Sequence, residues 1–208
     1  MSQQTPTGRP TSGMLPGSGI IGRVGNAELS FTVAAYDDPA SVRFIDAVQA
    51  FYRERYGGID RTPVDPAEFA PPRGLFLLGV LPDAGPVCCG GWRRLTAEAI
   101  PVADREVLRP LDAEIKRMWV DPSHRRRGVA LALLDELERT AAAAGCRRTV
   151  LETGTRQPEA EALYRRRGYR PMPNFGVHRA EADSTCFTQD LDAGRAPDPL
   201  GDRPVARG

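Results

Sequence analysis

Between positions 113 and 138 the chain passes from a strand-like run, AEIKRMWV, through the turn DPSHRRR, into a helix-like run, GVALALLDELE. A helix start leaves its first backbone N–H groups unpaired and carries partial positive charge. Small residues at that point let an anion approach those groups closely. Arg125, Arg126 and Arg127 add full charges at the same place. The chemistry implied is binding of a phosphate or pyrophosphate. An arginine-rich turn also occurs as a plain solvated loop, and neither G-x-x-x-x-G-K-S/T nor G-x-G-x-x-G is present. Just upstream, strand alternation puts Glu114, Lys116 and Met118 on one face and Ile115, Arg117 and Trp119 on the other. A carboxylate on a central strand is costly to bury unpaired, so Glu114 has either a structural partner or a chemical task. Lys116, the only lysine in the chain, is the near partner.

The elements that must position these groups can be read from periodicity. Residues 28–35 alternate as a half-buried strand does. Asp38-Pro39 offers a cap and a first helical position, Phe44, Ile45, Val48, Phe51 and Tyr52 follow at helical spacing, and Gly57-Gly58 stops the run. Residues 59–73 hold four prolines and read as a loop. Residues 75–81 and 86–93 form a hairpin around 82–85, and 113–120 form another strand. A helix runs from about 128 to 144, with Ala130, Leu133, Leu134, Leu137 and Ala141 on one face. Residues 148–153 are a strand, 158–167 a short helix and 184–191 a last strand. The order β-α-β-β-β-α-β-α-β predicts a mixed sheet flanked by helices.

Two blocks carry a family resemblance. Arg125-Arg126-Arg127-Gly128-Val129-Ala130, after Val120-Asp121-Pro122, fits Q/R-x-x-G-x-G/A. Downstream, the strand end Val150-Leu151-Glu152-Thr153, then Ala160, Leu163, Tyr164, Gly168 and Tyr169, fit L-x-T-x(n)-A-x-x-L-Y-x-x-x-G-F/Y, with Tyr164 36 residues after Gly128. On these residues the chain resembles the GNAT superfamily of bacterial N-acetyltransferases across nearly all of 27–191. The resemblance implies an α/β (α+β) fold with a mixed, mostly antiparallel central sheet of six to seven strands. It implies acetyl-CoA as co-substrate, no metal, and direct attack by a primary amine of a small-molecule acceptor in a ternary complex. The pyrophosphate would sit on Arg125, Arg126, Arg127, Gly128, Val129 and Ala130. Met118, Trp119 and Val120 would lend backbone groups to the pantetheine arm, and a backbone N–H of that strand would meet the oxyanion.

The same resemblance assigns Tyr164 to the CoA sulfur. A phenol of pKa near 10 is a reasonable proton donor to a departing thiolate of pKa near 8.5. Taken alone, Tyr164 reads as a core aromatic. Glu114 stands where some members carry the base that takes the amine's proton. Glu152 is a second candidate, with Arg117 on the neighbouring strand as an alternative partner. His124 has a suitable pKa but lies in the turn, solvated or near CoA. The 39–57 helix, the 59–73 loop and segment 171–183 should wall the acceptor pocket, with Tyr52, Arg53, Tyr56, Phe69, Asn174, Phe175 and His178 among their side chains. Many members pair as dimers, so a homodimer is compatible.

Composition narrows the partners. The 208 residues include 28 basic and 27 acidic side chains, a net charge of +1. Such balance argues against a nucleic-acid coat or a polybasic membrane anchor. No apolar run approaches the roughly 18 residues that span a bilayer, and residues 1–26 lack a secretory pattern. Cys88, Cys89, Cys146 and Cys186 read as buried thiols in a reducing cytoplasm. Gly and Pro crowd into 1–26 and 192–208, which are expected to be disordered tails around a folded unit at 27–191. Two other readings remain at this level. One is a non-catalytic acyl-CoA sensor or partner module of the same fold. The other is a nucleic-acid surface built from Arg93-Arg94, Arg125–Arg127, Arg147-Arg148 and Arg165–Arg167.

Overall fold

The computed structural model describes residues 22–24 and 27–191. In chain order the elements are β1 (Gly22–Val24), β2 (Ala27–Val33), α1 (Pro39–Tyr56), β3 (Gly74–Leu81), β4 (Gly85–Arg94), β5 (Asp112–Val120), α2 (Val129–Ala143), β6 (Arg148–Gly154), α3 (Pro158–Arg167), β7 (Arg170–Met172) and β8 (Ser184–Asp190). Short 3-10 turns occupy Pro66–Phe69, Val102–Asp104 and Pro122–His124. The strands pair in the order β1-β2-β3-β4-β5-β6-β8-β7. Only β5 and β6 pair in parallel; every other described pair is antiparallel. The expected mixed, mostly antiparallel sheet is therefore present, with seven strands from β2 to β8. The three-residue β1 adds an eighth at the edge, inside the segment expected to be a tail. The rest of the 1–26 and 192–208 expectation lies outside the described residues.

Local chemistry explains the boundaries. The Asp38 carboxylate accepts from the Ala40 N–H at 2.8 Å, Pro39 opens α1, and Gly57 closes it at φ 77°. The helical repeat of α2 presents Leu133, Leu134, Leu137 and Ala141, all at 0% exposure, to the back of the sheet. Gly90 on β4 permits this approach: a Cβ there would lie 3.2–3.3 Å from Leu137, Met118 and Leu133. The opposite, front face carries two apolar clusters. One, under α1, contains Phe44, Phe69, Phe76 and Leu78. The other contains Leu95, Ile100, Leu108, Val150 and Phe175. No helix among the described residues is long and apolar enough to cross a membrane.

Two irregularities of β5 shape the centre of the molecule. β5 and β6 pair only from Asp112↔Arg148 to Ile115↔Leu151, after which the strands part. Against β4, the register steps from Gly91↔Lys116 to Cys89↔Trp119, so β5 carries one extra residue. That bulge centres on Arg117, whose φ is 59°. A left-handed non-glycine residue costs of order 1 kcal/mol or more and persists only when its surroundings hold it. Here the Arg117 guanidinium meets Asp60 at 2.6 Å, and the Cys89 thiol donates to the Arg117 carbonyl at 3.3 Å. The bulge corrects the alternation expected from the sequence. Met118 joins Ile115 and Ala113 in the cluster against α2. Arg117, expected on the face of Ile115, turns instead to meet Asp60 and, through its Nε–H, Tyr36 Oη.

Candidate active site

Where β5 and β6 separate, a cleft opens between residues 116–120 and 152–154. The turn 121–128 stands at its far end. Asp121 accepts from the Ser123 N–H at 2.9 Å and shapes the 3-10 turn around His124. Arg126 and Gly128 then take positive φ values of 60° and 90°, which bends the chain sharply into α2. α1 is capped by an aspartate, but α2 has no side-chain cap and no acidic residue in its first turn. A Cβ on Gly128 would meet nothing within 4 Å. The first amides of α2 therefore have no side-chain acceptor from a capping residue, and the exposed Arg126 and Arg127 precede them. Arg125 folds back, with its guanidinium 4.5 Å from the Trp119 ring and its Nε–H donating to Val120 O at 3.0 Å. Val129 is buried under the sheet and Ala130 is half-buried. The sequence-derived anion set thus gathers at one end of the cleft. Among the described residues, no group of three or more His, Cys, Asp or Glu is arranged to hold a metal.

On the back side of the cleft, α3 brings Tyr164 to the bulge. Its hydroxyl lies 3.9 Å from Met118 Sδ, and its ring packs against Tyr169 and Phe187. Burial pushes the Tyr164 phenol up to about 12. It therefore carries its proton throughout the neutral range.

On the front side, a pocket of about 400 Å³ lies where the two strands begin to part. Its polar floor comes from Arg93 on β4, Glu114 and Lys116 on β5, and Glu152 on β6. Glu114 is 5% exposed and is paired twice, with Arg93 Nε at 2.7 Å and Lys116 Nζ at 3.1 Å. Arg93 reaches on to Glu68 at 2.7 Å. Burial raises the proton affinity of Glu114, but Lys116 and Arg93 outweigh it and hold the carboxyl below the usual range. The pairing alternative is the one realised, with both Arg93 and Lys116 on the Glu114 carboxylate. A strongly ionised, doubly engaged carboxylate is a poor base at neutral pH. Glu152 differs. Burial pushes its proton affinity up, against Lys116 and His178. It accepts from the Ser184 hydroxyl at 3.0 Å. The alternative pairing of Glu152 with Arg117 is not formed, because the bulge turns Arg117 to Asp60.

The pocket walls also differ from expectation. Segments 62–68 and 175–179 line it, but so does 95–108, where no periodic pattern marked an element. Of the side chains expected as walls, Phe175 lines the pocket. Phe69 is 1% exposed and stacks on Tyr36 instead. Asn174 donates to Ser184 O at 2.9 Å. His178 joins Glu181 at 2.9 Å and approaches Asp60 at 3.5 Å, tying segment 173–183 to the loop after α1. Tyr56 lies against Gly154 at the end of β6, where a Cβ would fall 2.1 Å from the Tyr56 hydroxyl oxygen. Arg93 and Glu68 were not legible as site residues. Arg93 was read only within the Arg93-Arg94 run, and Glu68 stands 25 positions away from it in sequence.

Residues 45–169 match the family model described as Acetyltransferase (GNAT) family. Over 65 residues the chain is 41% identical to IAA acetyltransferase of Azospirillum brasilense, covering 31% of this chain and 42% of that protein. Over 72 residues it is 38% identical to N-acetyltransferase 8 of Homo sapiens, covering 35% of this chain and 31% of that protein. The matches thus span less than half the length of these curated relatives. A solved structure from Klebsiella pneumoniae, assigned as an acyl-CoA N-acyltransferase, superimposes with a TM-score of 0.62. It is 27% identical, over 79% of this chain and 98% of that one.

Proposed function

Because the chain belongs to the GNAT family of acetyltransferases, we propose that it moves an acetyl group from acetyl-CoA to a primary amine of a small-molecule acceptor, by direct attack in a ternary complex. The parting of β5 and β6 after Ile115↔Leu151, with an uncapped helix start at one end and a pocket in front, carries this reading. A cleft between separated strands exposes unpaired strand amides and carbonyls, which suit the amide-bearing pantetheine arm. In this reading the backbone of Met118, Trp119 and Val120 lines that arm. The amides of Gly128, Val129 and Ala130 hold the pyrophosphate, with Arg126 and Arg127 adding charge. Arg125, stacked on Trp119, holds the strand end in place.

Acetyl transfer needs a neutral amine, a donor for the developing oxyanion and a proton for the leaving thiolate. A backbone N–H of β5 at the bulge is the donor in this scheme. Tyr164 supplies the proton, or a hydrogen bond short of full transfer. Its raised pKa is no obstacle in itself, since the desolvation that makes tyrosinate costly makes a thiolate costly in the same cleft. Glu114 acts through its partners. It neutralises Arg93 and Lys116 under the acceptor pocket and keeps their side chains fixed.

Calorimetric titration with acetyl-CoA tests the first requirement. We expect micromolar binding. No heat at millimolar acetyl-CoA would remove the reading.

A further inference from the structure

The front pocket has an uneven charge arrangement. Every cation on its lining already has a carboxylate. Arg93 holds Glu68 and Glu114, Lys116 holds Glu114, and Arg179 holds the buried Asp104 at 3.1 Å. Glu152 is the exception among the floor residues. It is half-buried, it makes no ion pair among the described residues, and its one hydrogen bond is accepted from Ser184. Lys116 from β5 and His178 from segment 173–183 face it, but His178 is committed to Glu181 and Asp60. Above this floor the walls are apolar, with Leu95, Ile100, Leu108 and Phe175.

We propose that Glu152 seats the acceptor's ammonium and takes its proton, and that the acceptor is a primary amine on an apolar body with no carboxylate beside the amine. This rests on the acetyltransferase reading above and names its acceptor class. A cationic nitrogen gives an ion-pair partner to the floor carboxylate that has none within contact among the described residues. A carboxylate next to that nitrogen would be desolvated in the same pocket with no cation left to meet it. The apolar body lies on the aliphatic and aromatic walls, and a pocket of about 400 Å³ is in the small-molecule range. In the transfer, one ammonium proton passes to Glu152 and the freed lone pair forms the C–N bond. The C–S bond breaks and sulfur leaves with its electron pair, protonated from Tyr164. The tyrosinate is restored by the second nitrogen proton, and Glu152 releases its proton to solvent.

The test is a thiol-release assay with matched acceptors: 2-phenylethylamine, benzylamine and hexylamine against phenylalanine and leucine. The expected result is a kcat/KM at least about tenfold higher for the best amine than for either amino acid. Glu152→Gln, which keeps the shape and the Ser184 contact, should lower kcat/KM for that amine by more than about tenfold. Its calorimetric affinity for acetyl-CoA should be unchanged, and Glu152→Asp should recover part of the rate. Equal or better turnover of an amino acid, turnover of none of the three amines, or full activity of Glu152→Gln would overturn the proposal. Acetyl-CoA binding together with thiol release on some other amine confines these failures to the present proposal; absence of acetyl-CoA binding, or binding with no thiol release on any amine, is instead failure of the acetyltransferase reading.

Discussion

Tyr164 meets Met118 on the sheltered side of the cleft, and burial keeps its proton in place at neutral pH. If that proton serves the leaving thiolate, removing the hydroxyl should damage the chemical step and spare binding. Proton donation of this kind is worth roughly 10²–10⁴-fold in rate. Tyr164→Phe is therefore expected to lower kcat by at least about tenfold and leave the acetyl-CoA affinity close to wild type. Equal steady-state kinetics for the two proteins would take Tyr164 out of the mechanism. The two carboxylates of the front pocket show how environment separates like residues. Glu114 is enclosed by Arg93 and Lys116, whereas Glu152 keeps a single hydroxyl partner. The position of Tyr164 on α3, after Gly128, was legible because that spacing is a property of the chain. The contrast between Glu114 and Glu152 was not, because it depends on where Arg117 points.

At the scale of elements, the bulge in β5 decides that direction. It reverses the facing of Met118 and sends Arg117 to Asp60, which anchors the loop after α1. Burial works against the ionised Asp60, yet Arg117 and Lys116 hold its carboxyl down to about 2. An unfolded aspartate titrates near 3.9. The stabilisation is thus full above about pH 4 and is lost as pH falls toward 2. Asp60→Asn should be less stable than wild type by roughly 2 kcal/mol at pH 7. The gap in melting temperature should close as pH falls from 4 to 2. A gap that stays constant over that range would show that the Asp60 charge is not the anchor. The regular elements were readable from periodicity: the α2 stripe, the α1 cap at Asp38 and the β3–β4 hairpin all appear where the pattern puts them. The bulge was not, since a positive φ at an arginine is imposed by distant contacts and not by local propensity. Segment 95–108 was missed for a related reason. Its packing onto Val150 and Phe175 follows no repeat that a single chain displays.

Across the whole molecule, near-neutral charge conceals an ordered use of arginine. Arg148 meets Asp112, Arg167 meets Asp135 and Glu138, and Arg139 meets Glu136. Arg93 is engaged beneath the acceptor pocket. Of the runs that suggested a nucleic-acid surface, Arg93, Arg148, Arg165 and Arg167 are joined to acidic partners within the chain, while Arg126 and Arg127 are exposed at the α2 start. We also propose that the folded unit read at 27–191, extended to take in β1 at Gly22–Val24, is the functional unit. A chain cut to those bounds should bind acetyl-CoA within about threefold of the full chain by calorimetry. Loss of binding would give the removed ends a role in the site. The central claim is acetyl transfer to an amine, and the most direct measurement is amine-dependent release of free CoA thiol from acetyl-CoA across a panel of primary amines. The account predicts release well above the amine-free rate with at least one apolar primary amine, and an acetylated amine as product. Tight acetyl-CoA binding with no thiol release on any amine would contradict it and favour an acyl-CoA sensor of the same fold.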